Sequence, residues 1–279
     1  MTHSEPQPSV IHYGSDPSQH VALWLPKTEP VGTAVLIHGG YWRDRYHLNL
    51  MDPMAGHLVT AGWAVINLEY RRIPAPDGSA PDGVWEAMST DIVAGIRAGL
   101  DAVRAGPDAV GGQVLAPVVF IGHSAGGQLA LWAATALAAG TEADDGVGRP
   151  FVELVIALAP VADLETADRL GLSNGATALL LGGAHDQVLD RYRGASPAAL
   201  LPLGVPQLLI HGRGDEDVPH DLGVRYATAA AESGDPVEFI DPTCVDHFDV
   251  IAPDHWIWRA IDRRLALVSG HVDLREANL

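Results

Sequence analysis

Residues 117–127 read Pro-Val-Val-Phe-Ile-Gly-His-Ser-Ala-Gly-Gly, an apolar run that closes on Gly122-x-Ser124-x-Gly126 and continues into Gln-Leu-Ala-Leu-Trp-Ala-Ala. A buried strand here must turn into a helix within one or two residues, and glycines on both sides of the serine let the backbone turn where side chains would collide. The pattern predicts strand, sharp turn and helix, with Ser124 exposed at the apex. Serine is also a good helix N-cap, but a cap does not need glycines two residues to either side. A serine hydroxyl is a poor nucleophile without a neighbouring base, so this turn directs attention to histidines and carboxylates further along the chain.

The rest of the chain alternates between short apolar runs and helical spacing. Strands are expected near 33–38, 63–69, 117–121, 152–159, 206–211 and 237–241, and helices near 47–61, 84–105, 126–139, 219–233 and 254–268. Val10-Ile-His-Tyr and His20-Val-Ala-Leu-Trp-Leu flank a Gly14-Ser-Asp-Pro-Ser turn and predict an N-terminal hairpin. Such alternation implies one α/β domain over 1–279: a mostly parallel sheet covered by helices on both faces, with reactive residues on loops at the carboxyl ends of strands. The stretch from Pro74 to Gly83 is a loop by composition. Residues 162–195 form a less regular helical insertion, read either as a lid or as a plain pair of surface helices.

Three further segments complete a resemblance. Val31-Gly-Thr-Ala-Val-Leu-Ile-His-Gly-Gly-Tyr-Trp42 ends in a His-Gly-Gly-x-Trp pattern; Gln207-Leu-Leu-Ile-His-Gly-Arg-Gly-Asp-Glu-Asp-Val-Pro219 leaves a strand through an acidic loop; Asp246-His-Phe-Asp249 follows the last strand. With the Ser124 turn they resemble the α/β-hydrolase superfamily, whose usual chain order is Ser, acid, His. That resemblance implies Ser124 as nucleophile and His247 as base. It also implies an oxyanion hole made by backbone N–H groups of Gly39, Gly40 and Ala125. Asp215, Glu216 and Asp217 are all candidates for the acid, and the pattern His-Gly-x-x-Asp-x-x-Val-Pro selects Asp215. His255 is the rival histidine, placed at the start of the last helix; His220 reads as another helix start and His123 as filler beside the nucleophile. Tyr41 and Trp42 are substrate-binding candidates as walls of an acyl or aryl pocket, and equally good as plain packing. Tyr70-Arg71 and Ser196-Pro197 resemble framework positions.

Within the superfamily, His38-Gly-Gly-Tyr-Trp42 together with Asp246-His-Phe-Asp249 resembles serine-dependent kynurenine formamidase (arylformamidase) and its carboxylesterase relatives. The resemblance implies a small-molecule substrate, an aryl formamide such as N-formylkynurenine, cleaved through an acyl-enzyme. The alternatives are a general carboxylesterase acting on short-chain esters and a ligand-binding scaffold without catalysis.

Composition narrows the partners. The formal net charge is −18 and Lys27 is the sole lysine, which argues against nucleic acid and anionic membranes, since both need a basic footprint. One cysteine, Cys244, and a polar N-terminal stretch with no apolar leader segment point to the cytoplasm. No His-Glu-x-x-His, paired Cys-x-x-Cys or phosphate-cradling glycine loop is present, so neither metal nor cofactor is expected. Oligomeric state is left open.

Overall fold

A computed structural model describes residues 7–74, 82–105, 117–139 and 152–270. The hairpin forms as expected: β1 (Ser9–His12) pairs antiparallel with β2 (His20–Trp24), and β2 joins the main sheet antiparallel to β4. The remaining strands are β3 (Thr33–Ile37), β4 (Ala64–Leu68), β5 (Val118–His123), β6 (Val152–Leu158), β7 (Gln207–Ile210) and β8 (Val237–Ile240). All of these pair in parallel, and the eight strands run in the order β1-β2-β4-β3-β5-β6-β7-β8.

Strand order reverses at β3. The chain leaves β3 for β4 on one side and returns to β5 on the other. Loops after β3 and β5 therefore open into the same crevice at the carboxyl edge, where open α/β sheets place ligands. The register Ile37↔Gly122 sets the ends of these two strands level.

Strand side chains alternate between two apolar layers. Val35, Ile37 and Phe120 pack on the face covered by α2 (Val84–Arg104), α3 (Ala125–Ala139) and α7 (His220–Glu232). Ala34, Leu36, Val119 and Ile121 pack on the opposite face, covered by α1 (Asp52–Thr60) and α8 (Trp258–Ser269). Among the described residues no helix is long and apolar enough to cross a membrane.

Two helices begin later than expected. The helix expected over 47–61 divides into a short 3-10 turn, Leu48–Met51, and α1, with Pro53 in the first turn. A proline there lacks only an N–H that would have no helical partner anyway. The helix expected from 254 begins at Trp258, so His255 lies in the preceding turn, where its carbonyl accepts from the Trp258 N–H at 3.0 Å. Residues 75–81 of the loop expected over 74–83 lie outside the described residues. The 162–195 insertion forms three short helices: α4 (Leu164–Arg169), α5 (Leu172–Leu181) and α6 (Leu189–Ala195). It is tied to the body through Gln128 Nε2 to the Ala195 carbonyl (2.8 Å) and Trp132 Nε1 to the Gly194 carbonyl (3.0 Å).

Candidate active site

The turn between β5 and α3 places Ser124 at φ 57°, a left-handed conformation that a side-chain-bearing residue keeps only when its surroundings impose it. Four backbone hydrogen bonds do so. The Ser124 N–H donates to Leu158 O at 2.8 Å, and its carbonyl accepts from the N–H groups of Gly127 (3.0 Å), Gln128 (3.2 Å) and Val161 (3.2 Å). The motif's second glycine has a steric cause: a Cβ on Gly126 would run into the carbonyls of Ile37 and His38. The elbow thus abuts the end of β3.

The loop after β3 lies directly over the serine. A Cβ on Gly39 would sit 2.7 Å from the His123 carbonyl and 2.8 Å from Ser124 Cβ. Contact this close explains why Ser124 is only 1% exposed; the exposed apex expected from the motif is covered by the loop after β3. The same contact sets the backbone of Gly39 beside Ser124, which the first amide of α3, Ala125, directly follows. A helix's first N–H groups have no intrahelical acceptor and are free for a ligand.

Beneath this loop is a buried polar frame. His38 Nδ1 lies 2.8 Å from the Gly39 carbonyl and His38 Nε2 lies 3.0 Å from Glu69 Oε1. Tyr70 stacks on His38 with ring centres 4.5 Å apart and donates its hydroxyl to the His38 carbonyl at 2.7 Å. Glu69 also accepts from the Leu48 and Tyr70 N–H groups, each at 3.0 Å, and pairs with Arg72. Burial alone would push the Glu69 carboxyl up. The His38 hydrogen bond and charge, with Arg72 and the Leu48 amide, outweigh it and hold the carboxyl down to about 2. The sequence identifies Tyr70 as framework but not Glu69, whose only signal is an acid directly following a buried strand. Arg71 belongs to a separate pair, with Asp91 of α2 at 2.7 Å.

On the other side of the crevice, Asp215 Oδ2 lies 2.7 Å from His247 Nδ1. Asp215 Oδ1 accepts from the N–H groups of Asp217 (2.9 Å) and Val218 (2.8 Å), and His211 Nε2 approaches Oδ2 at 3.3 Å. Burial opposes ionisation of Asp215, but hydrogen bonds from His211, His247 and Val218 hold its carboxyl far below the usual range. Glu216 and Asp217 are exposed. Among the three acids it is therefore Asp215 that meets the histidine. His255 lies 4.0 Å from Asp249, not beside Asp215.

His247 is 5% exposed and is seated on the elbow through His123, whose Nε2–H donates to the His247 carbonyl at 2.9 Å while the two rings lie 4.6 Å apart. His123 is thus a tie between the His247 loop and the strand that leads to Ser124, not filler. Burial and the neighbouring His247 depress it to about 3, so it is neutral at ordinary pH. The flanking aspartates of Asp246-His-Phe-Asp249 cap each other's backbone. Asp246 Oδ1 accepts from the Phe248 (2.8 Å) and Asp249 (2.9 Å) amides, and Asp249 Oδ2 accepts from the Asp246 amide at 2.9 Å. Phe248 is 43% exposed, its ring 5.3 Å from His247.

Of the two aromatic candidates, Trp42 is fully buried, and its indole N–H donates to Gln128 Oε1 at 3.0 Å. It faces no open space, and of the two sequence readings the structure selects packing. Tyr41 is half-buried at the rim, its hydroxyl donating to the Asp217 carbonyl at 2.6 Å. Among the described residues, Asp215, Asp217 and His247 bring possible metal-donor atoms within 4.8 Å of one another. Asp215 and His247 spend theirs on each other, so this set fits a hydrogen-bonded acid–base pair better than an ion's ligand shell.

The reversal of strand order at β3, the strained serine elbow after β5 and the acid loop after β7 together define an α/β-hydrolase fold. The chain belongs to the BD-FAE family, whose model matches residues 22–229. Among solved structures it is similar to a truncated carbohydrate esterase from gut microbiota (22% identity, TM-score 0.73, covering 96% of this chain and 99% of that one). It is also similar to esterase B of Lactobacillus rhamnosis inhibited by a tributyrin phosphonate (20% identity, TM-score 0.72, 99% and 90%). A third similar structure is a thermophilic esterase from Thermogutta terrifontis (20% identity, TM-score 0.68, 98% and 96%). No curated protein matches the chain significantly.

Proposed function

We propose that this protein is a serine carboxylesterase that cleaves short-chain acyl esters of small alcohols through an acyl-enzyme. The observation that carries this reading is the Asp215–His247 pair at 2.7 Å, docked against the elbow by His123, the residue before Ser124. Asp215 accepts the Nδ1 proton of His247, leaving Nε2 as the base that takes the Ser124 proton as Oγ attacks the ester carbonyl. Negative charge on the carbonyl oxygen is met by the N–H groups of Ala125, Gly39 and Gly40, one such donor contributing ~3 kcal/mol to the transition state. His247 then protonates the leaving alcohol, and water repeats the sequence to free the acid.

An ester is favoured over an aryl formamide for two reasons. Each of the three similar structures described above is named as an esterase. Trp42, a candidate wall for an aryl pocket, is fully buried and bonded to Gln128, so it lends no support to an aryl substrate. The test is a comparison of kcat/KM for p-nitrophenyl acetate, p-nitrophenyl butyrate and N-formylkynurenine, with a fluorophosphonate used to label the nucleophile. Turnover of the esters and label on Ser124 are expected. A formamide preferred over both esters would restore the arylformamidase reading, and no turnover with no label would make the protein a binding scaffold.

A further inference from the structure

Tyr41 follows the oxyanion glycines, yet its hydroxyl reaches across the crevice to the backbone of the acid loop, 176 positions along the chain. Gly40, Tyr41 and Trp42 have φ of 115°, 49° and 58°. Three successive residues are thus left-handed, and two of them carry side chains that disfavour it. Such backbone persists only where its surroundings over-determine it. The two aromatic side chains supply that hold in opposite directions: Trp42 is fastened inward to Gln128 and Tyr41 outward to Asp217. The tie is steady with pH, because burial and the charges of Asp217 and Asp215 push the Tyr41 hydroxyl above its ordinary range and keep it a donor.

Asp217 is fixed to the acid in turn, its amide donating to Asp215 Oδ1 at 2.9 Å. The chain of contacts runs from the left-handed oxyanion loop through one phenol to the carbonyl of Asp217, and from that residue's amide to the carboxylate that orients His247. We propose that Tyr41 is a positioning residue whose hydroxyl bridge to Asp217 locks the oxyanion loop and the acid loop into one register. This rests on the serine-esterase reading above and replaces a role for Tyr41 as a pocket wall.

The two roles differ in what they change. A loosened bridge misplaces donors that matter only once charge has formed on the carbonyl oxygen, so it lowers kcat and leaves KM in place. A lost pocket wall weakens substrate binding and raises KM. Tyr41→Phe removes the hydroxyl and keeps the ring, including its edge contact with Trp42 at 6.1 Å.

The experiment compares the wild-type chain with Tyr41→Phe in three measurements. These are kcat and KM on p-nitrophenyl acetate, inhibition by an alkyl trifluoromethyl ketone whose adduct places an anionic oxygen in the hole, and hydrogen exchange. The exchange readout follows the Arg43 and Ile73 amides, which are bonded to the Gly40 and Trp42 carbonyls at 3.0 and 2.7 Å. Expected is a fall of about tenfold in kcat, the same loss of inhibitor affinity, or ~1.4 kcal/mol, and faster exchange at both amides, with KM unchanged. A raised KM with kcat kept would overturn the proposal, as would unchanged rates together with unchanged exchange. If the wild-type chain turned over no ester, the esterase reading would fall, and the exchange difference would still decide the bridge.

Discussion

The two walls of the crevice are held by different physics. On the histidine wall, the proposed acid and base, Asp215 and His247, are held by a side-chain hydrogen bond to each other and by His123 to the His247 carbonyl. On the wall formed by the loop after β3 the proposed oxyanion donors are backbone amides, and that loop is held from beneath by Glu69, Arg72 and His38, which lie buried under it. A side chain can be aimed by its own partner, whereas a backbone amide can be aimed only by fixing the loop that carries it. Damage to the first wall should therefore appear as lost chemistry in a folded protein, and damage to the buried frame beneath the second as lost stability.

The largest effect should come from the histidine wall. Asp215→Asn presents the wrong hydrogen-bonding partner to His247 Nδ1 and is expected to cost on the order of 10⁴ in kcat, as for triad acids elsewhere. Asp217→Asn should be mild, because Asp217 contributes its backbone amide and carbonyl. Steady-state rates on p-nitrophenyl acetate separate the two, and a large loss at Asp217 with little at Asp215 would break the assignment.

Glu69→Gln should do the reverse. It leaves Arg72 buried without its charge partner, which costs about 3–5 kcal/mol, read from urea denaturation. Acid unfolding sharpens the contrast, because the two walls lose stability in different windows. The Glu69 carboxyl falls from 4.5 to about 2 on folding, so its contribution is complete above 4.5 and is lost as pH falls toward 2. His123 falls from 6.5 to about 3, so the unfolded chain gains that proton first and destabilisation by this group begins below 6.5. Glu69→Gln should flatten only the lower part of the stability–pH curve. A curve flattened above pH 5 by that variant would show that the two walls are not separately held.

The smallest effect concerns substrate choice. Trp42→Phe removes the indole N–H and leaves Gln128 Oε1 unpaired, costing about 1–3 kcal/mol of stability. The ratio of acetyl to butyryl ester turnover should not change, since Trp42 faces no open space. A changed ratio would bring the aromatic pair back into the pocket.

Features that depend on neighbours in sequence are legible from the residues alone. The elbow, the His-Gly-Gly loop and the spacing of Asp215 behind His211 all lie within short windows, and their steric and strand-end logic is local. The ties between windows are not legible in this way. Nothing near Trp42 announces Gln128, 86 positions away, and nothing near His123 announces the carbonyl of His247, 124 positions away. His123 reads as filler and Trp42 stays open for the same reason: their roles are set by what the sheet order places opposite them. Helix starts at Asp52 and Trp258 fall later than the pattern suggests because the preceding residues share the apolar spacing while forming turns.

Gln128 has a consequence for how the sequence can drift. Its Oε1 accepts from the Trp42 indole while its Nε2 donates to the Ala195 carbonyl, so one amide group serves the oxyanion loop and the helical insertion at once. A carboxylate can only accept there, and an ammonium can only donate. Glutamate, lysine or leucine would each abandon at least one partner. The position is closed to ordinary exchange among residues of similar size, and a lineage that changed it would have to change Trp42 or the end of α6 in the same step.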